Sequence, residues 1–100
     1  MINSDFMLGK CVIVRDHMAG VFIGTLSQID LQKKSWILLN ARKIHYWSKA
    51  AAVEGLAVVG DNGEGGRITP MVEWVAGCDL VQVLPVTGGE KLLNAPVWEP

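Results

Sequence analysis

The run Cys11-Val12-Ile13-Val14, closed by Lys10 on one side and by Arg15-Asp16 on the other, constrains the fold more than any other feature of the chain. It is too short for a helix that stands alone, and its β-branched residues favour a pleated, buried environment. A short buried strand is the consequence. His17-Met18-Ala19-Gly20 then reads as a turn, and Gly20 through Ile29 alternates apolar with small or polar residues well enough for a second strand that pairs with the first. Gly24 inside it marks a bulge or a close approach of another backbone.

The same reading carries through the rest of the chain. Asp30 to Lys34 has turn chemistry, and Ser35-Trp36-Ile37-Leu38-Leu39 is a third strand that Asn40 ends or bends. Ala41 to Trp47 continues with strand or tight-turn character; if it is extended, Arg42, Ile44 and Tyr46 share one face and Lys43, His45 and Trp47 the other. Ser48 is a good N-cap, and Ala50-Ala51-Ala52 predicts a helix from Lys49 to Val59, with Val53, Leu56 and Ala57 on one face and Gly60 as its stop. A glycine-rich loop follows at 61–66, then an edge strand over Arg67 to Val75, whose Pro70 cannot donate to a ladder. Ala76 to Asp79 turns the chain, Leu80 to Leu84 is the last strand, and a short helical turn is expected around Glu90 to Leu93. The expected class is therefore α+β or mainly β, a small antiparallel sheet of about five to six strands with one helix packed on it, a small barrel being the alternative.

Composition bounds the function. The 100 residues suit one domain, 1–100, with a core over 10–87 and peripheral segments at 1–9 and 88–100. With 50% hydrophobic residues, 19% charged residues and a net charge of −1, the chain is neither a disordered tail nor a protein that binds long nucleic acid by bulk positive charge. Ala50 to Val59, the longest apolar stretch, is interrupted by Glu54 and Gly55, and no cation precedes Lys10, so neither a membrane span nor a secretory leader is expected. Cytoplasmic residence follows, with Cys11 and Cys78 as small buried hydrophobes rather than a disulfide. So apolar a chain of this size exposes apolar surface unless subunits cover it, which predicts a homo-oligomer.

No nucleophile elbow, phosphate-binding loop or metal-ligand spacing is present, so neither catalysis nor a metal or other cofactor is expected. One segment differs in kind from the rest. Between Asn40 and Ala50 the chain gathers Arg42, Lys43, His45, Tyr46, Trp47, Ser48 and Lys49, with Arg15 beside the first turn as a second fixed cation and Arg67 as a weaker candidate. Cations neutralise phosphates, flat rings stack on bases, and a helix starting after Ser48 aims free N–H groups at an anion, which together describe a small-nucleotide pocket. The residues alone favour the other reading, in which Tyr46 and Trp47 are core or interface anchors with solvated cations around them, because aromatic residues are common at interfaces. Trp36, Trp74 and Trp98 read as packing residues, Trp74 or Trp98 as an interface anchor.

Val12-Ile13-Val14-Arg15, Ala19-Gly20-Val21-Phe22 with Gly24 and Leu26, Asn40-Ala41-Arg42-Lys43-Ile44 with Tyr46-Trp47, and Val83-Leu84-Pro85 resemble a family of small proteins of tailed phages and prophages, over roughly Lys10 to Thr87. Small β-rich oligomeric phage proteins of this kind look like counter-defence sponges, which sequester a host immune nucleotide such as a cyclic ADP-ribose isomer or a cyclic dinucleotide without cleaving it. The resemblance implies that Arg15 and Arg42 hold phosphates while Tyr46 or Trp47 stacks on a base, in the host cytoplasm. His45 departs from the pattern, standing where relatives carry an aromatic residue, usually tryptophan. A phage structural or assembly protein, and an inhibitor that binds a host protein, are the alternative functions.

Overall fold

A computed structural model describes residues 5–46, 67–87 and 93–94. After a 3-10 turn at Asp5–Met7 the chain forms β1 (Cys11–Asp16), β2 (Gly20–Asp30), β3 (Ser35–Tyr46), β4 (Arg67–Ile68), β5 (Val72–Gly77) and β6 (Leu80–Pro85). All pairings are antiparallel, in the order β4-β3-β2-β1-β6, with β5 pairing with β3 beside β4. The protein is mainly β. The helix expected over Lys49 to Val59 and the loop at 61–66 lie outside the described residues, as does all but Leu93 of the turn expected around Glu90 to Leu93. Among the described residues no helix is long and apolar enough to cross a membrane.

Three expectations are sharpened by the backbone. The segments on either side of Asn40 form one strand, bent where Asn40 takes a left-handed φ of 50°. The expected edge strand is divided into β4 and β5 at residues 69–71, because Pro70 offers no N–H to the ladder. Gly24 sits at a register shift, where a Cβ would lie 2.9 Å from the Leu39 carbonyl oxygen. Cys78, expected to be buried, is exposed in the turn after β5, since that connection runs over the surface, and Cys11 is half-buried; the two form no disulfide.

The sheet is strongly curled, and the pairing itself requires it. Gly20 and Ile29, near opposite ends of β2, pair with Asp16 and Trp36. An ideal strand would hold two such positions about 30 Å apart. Yet the Trp36 indole Nε1–H donates to Asp16 Oδ2 at 2.7 Å. β2 turns at two register shifts, between Ile23 and Thr25 and between Leu26 and Gln28, as bulges allow. The outer strands tell the same story: in a flat sheet β5 and β6 would stand about 19 Å apart, but Gly77 and Leu80 are only three residues apart, a reach of at most ~11 Å.

Asp16 closes the curl. Its Oδ1 accepts the amides of Met18 and Ala19 at 2.9 and 2.8 Å, shaping the first hairpin turn, and its Oδ2 accepts Trp36 Nε1 and the Asp79 amide, the latter at 3.0 Å. Asp30 builds the second turn in the same way, with Oδ1 accepting from Gln32 and Lys33. Around the clasp, the His17 amide donates to Asp79 O and the Leu80 amide to Lys34 O. Inside the curl lie Val12, Val14, Phe22, Leu26, Trp36, Leu38, Ala41 and Leu80; on the outer face Ile13, Ile23, Ile44 and Ile68 form a second buried cluster against which Leu93 packs. Burial on both faces explains why Val12-Ile13-Val14 shows no alternation.

Burial alone would raise the Asp16 pKa, but the hydrogen bonds from Trp36, Ala19, Asp79 and Met18 outweigh it and hold the carboxyl below its ordinary value of 3.8. The unfolded chain therefore binds the extra proton first as pH falls. The stabilisation is complete above the ordinary value and is lost as pH drops through the lower folded one. Asp16→Asn, which sets an amide NH2 against N–H donors, is expected to cost about 3 kcal/mol at neutral pH and to flatten the acid limb of stability against pH in denaturant titrations. A Cβ on Gly77 would fall 2.6 Å from the Trp36 ring, so Gly77→Ala should lower stability by about 1–3 kcal/mol in the same titrations.

Candidate functional site

The residues expected to bind a ligand begin at the bend of β3. Past Asn40, Ala41 packs over Gly24, and Arg42 then enters the outer face opposite Ile23. Arg42 is only 3% exposed. Its Nε–H donates to Thr69 O at 2.7 Å and Nη1 to Leu93 O at 3.1 Å. Burial lowers its pKa, but a guanidinium remains charged at neutral pH. Two carbonyl dipoles thus replace part of the hydration the charge has lost.

Lys43 turns to the opposite face. It is half-buried, with Nζ 5.8 Å from the centre of the Phe22 ring and its stem packed against Gly20, whose φ of +109° suits a residue without a Cβ. Its backbone is gripped twice by one residue: the Lys43 amide donates to Thr69 Oγ1 at 2.8 Å, and the Thr69 amide donates to Lys43 O at 3.0 Å. Together with the Arg42 bond, Thr69 fixes the register of β3 against the segment after β4. Beyond this clamp the strand pairs Ile44 with Ile68 and Tyr46 with Arg67, carrying His45 and Tyr46 on its backbone to the end of the ladder. Trp47, Ser48 and Lys49 follow outside the described residues.

Arg15 is exposed, between Val21 on β2 and Gln82 on β6. Register puts Arg15 and Arg42 on the same outer face, in adjacent rows on strands that flank β2, roughly 12 Å apart at Cα. The structure thus brings the two arginines to one face, as expected, while Lys43 lies on the other and Arg42 is engaged with carbonyls. None of these residues lines either of two cavities. A cleft of about 520 Å³ runs between the 3-10 turn and β6, walled by Phe6, Met7, Val12, Val83 and Pro85 with Lys10 at its side. The other, about 430 Å³, lies at the second hairpin near Asp30, Lys33 and Trp36. Among the described residues no three His, Cys, Asp or Glu side chains group as metal ligands.

Sequence reasoning missed Asp16 and Thr69. Asp16 carried one usable signal, an aspartate directly before a turn with glycine at its end, the pattern of a side chain that accepts amides two and three residues on. Thr69 carried none, because its partners are 26 and 27 residues away. Removing Arg42 takes a donor from the Thr69 and Leu93 carbonyls; Arg42→Ala is expected to cost about 3 kcal/mol in chemical denaturation, with Arg42→Lys in between because an ammonium cannot span both acceptors.

No curated protein and no solved structure matches the chain. A family model does, over residues 9–91, which cover every described strand, and the chain belongs to that family, DUF6948, a domain of unknown function.

Proposed function

We propose that this protein is a phage-type counter-defence module that binds and sequesters a small cyclic nucleotide signal in the host cytoplasm, without catalysis. The observation that carries the reading is the Thr69 clamp. It fixes the register of β3 at Arg42 and Lys43, where the cation and aromatic run that continues to Lys49 begins. Binding groups supported by a rigid strand lose little freedom on capture, which is what slow release requires.

In this reading Arg42 is a positioning residue, since its Nε and Nη1 are already bound to carbonyls. Arg15, exposed on the same face, supplies the accessible guanidinium for a phosphate. His45, Tyr46 and Trp47 supply the stacking surface, and Lys43 and Lys49 add positive charge. Ser48 is the expected cap of the helix predicted over Lys49 to Val59, whose first amides would face an anion. Sequestration needs no nucleophile and no general base.

The test is a thermal-shift screen against cyclic dinucleotides, cyclic trinucleotides and ADP-ribose derivatives. A ligand at 100 times its dissociation constant should add about 2.7 kcal/mol of stability. The expected result is a shift for one compound, recovered intact after the protein is denatured, and its loss in Arg15→Ala with the unliganded melting temperature unchanged. A flat panel would overturn the reading, and recovery of a cleaved compound would make the protein an enzyme.

A further inference from the structure

The outer face of the sheet is covered at one end and open at the other. Near β1 it holds Ile13 and Ile23, both at 0% exposure, whereas along β3 and β5 the same face carries Trp74 at 61%, Val72 at 47% and Leu39 at 40%. Trp74 is the direct cross-strand partner of Leu39, and Ala76 of Ile37, so these side chains share one side of the ladder, with Val72 two residues before Trp74. Among the described residues β5 pairs with β3 alone.

We infer that this face, centred on Trp74 and Leu39, is the contact surface between two copies of the chain, packed face to face about a two-fold axis. Charge supports a copy of the chain as the occupant. Ile37, Leu39, Val72, Trp74 and Ala76 carry no charge, and their β2 neighbours on this side, Thr25 opposite Leu39 and Gln28 opposite Ile37, are polar and neutral. A two-fold contact sets each patch against itself, so any charge at its centre would meet its own like; a neutral centre with a neutral polar rim is the kind of surface that satisfies this. The next charge along β3 on this face, Arg42, is buried and bound to the Thr69 and Leu93 carbonyls, and at the other end of the patch stands Asp30, in the second hairpin.

The area agrees. Trp74, 61% exposed, leaves on the order of 150 Å² in water, given the ~250 Å² that a covered tryptophan buries. Leu39 and Val72, at 40% and 47%, bring the patch into the range of a few hundred Å² that marks interaction sites. Tryptophan is also the residue most enriched among interface anchors. Glu73, on the edge of β5, sets like charges close together in an edge-to-edge pairing of β5 with itself, which favours packing by the face instead.

This inference does not rest on nucleotide binding. The test is sedimentation equilibrium of the full chain from about 1 μM to about 1 mM, a range that brackets interfaces of modest affinity. The expected result is a dimer that Trp74→Glu and, separately, Val72→Lys convert to monomer with unchanged circular dichroism, while Glu73→Ala stays dimeric. A wild-type chain that is monomeric throughout would overturn the inference, as would a dimer that survives both substitutions.

Discussion

Asp16 is the group on which the geometry of this sheet depends. Its carboxylate gathers donors from its own turn at Met18 and Ala19, from the start of β3 at Trp36, and from the joint between β5 and β6 at Asp79. A carboxylate taken out of water costs several kcal/mol unless its lone pairs are filled, and here each oxygen accepts two N–H groups. Because two of those donors come from segments 20 and 63 residues away, the bonds that satisfy the charge are the same bonds that curl the sheet. Trp36 is oriented by its indole N–H, its ring lies tilted against Phe22 with centroids 5.5 Å apart, and Gly77 leaves room for it. The polar clasp and the apolar core are thus one construction, in which burying the indole and satisfying the carboxylate are the same event.

The first strands and the bulge between them are legible in local chemistry. The β-branched run at Val12 to Val14, the second strand from Gly20 and the bulge at Gly24 each rest on a property of one residue and its neighbours, and each is present in the structure, whereas the single strand expected over Arg67 to Val75 is two, β4 and β5. The separation of Arg42 and Ile44 from Lys43 onto opposite faces followed from strand period alone. What could not be read is what depends on distant parts of the chain. Arg42 reads as a surface cation until Thr69 and Leu93, 27 and 51 residues on, are seen to supply carbonyls to it. Asp16 reads as a boundary charge until Trp36 and Asp79 arrive. Burial of a charged group is a property of the fold, and single-sequence reasoning assigns charges to solvent by default.

β3 divides the molecule into two regions of different character. Before the bend at Asn40 it pairs with β5, and after it with β4. The first half is tied to the Asp16 clasp through Trp36; the second is tied to the Thr69 clamp through Arg42 and Lys43. Asn40, in its left-handed conformation, and the break at residues 69–71 on the partner side lie close to the same boundary. A bulged strand of this length can therefore serve two surfaces whose side chains have little in common.

That division bears on how the two proposed surfaces relate. The apolar face of Leu39 and Trp74 belongs to the clasped half, and the cation and aromatic run belongs to the clamped half. Among the described residues their supports have different partners: Asp16 accepts from Trp36, Met18, Ala19 and Asp79, whereas Arg42 and Lys43 engage Thr69 and Leu93. Free-energy effects at sites that share no partner add with little coupling. Assembly through the first surface and capture through the second are then separable in energy although they lie on one strand.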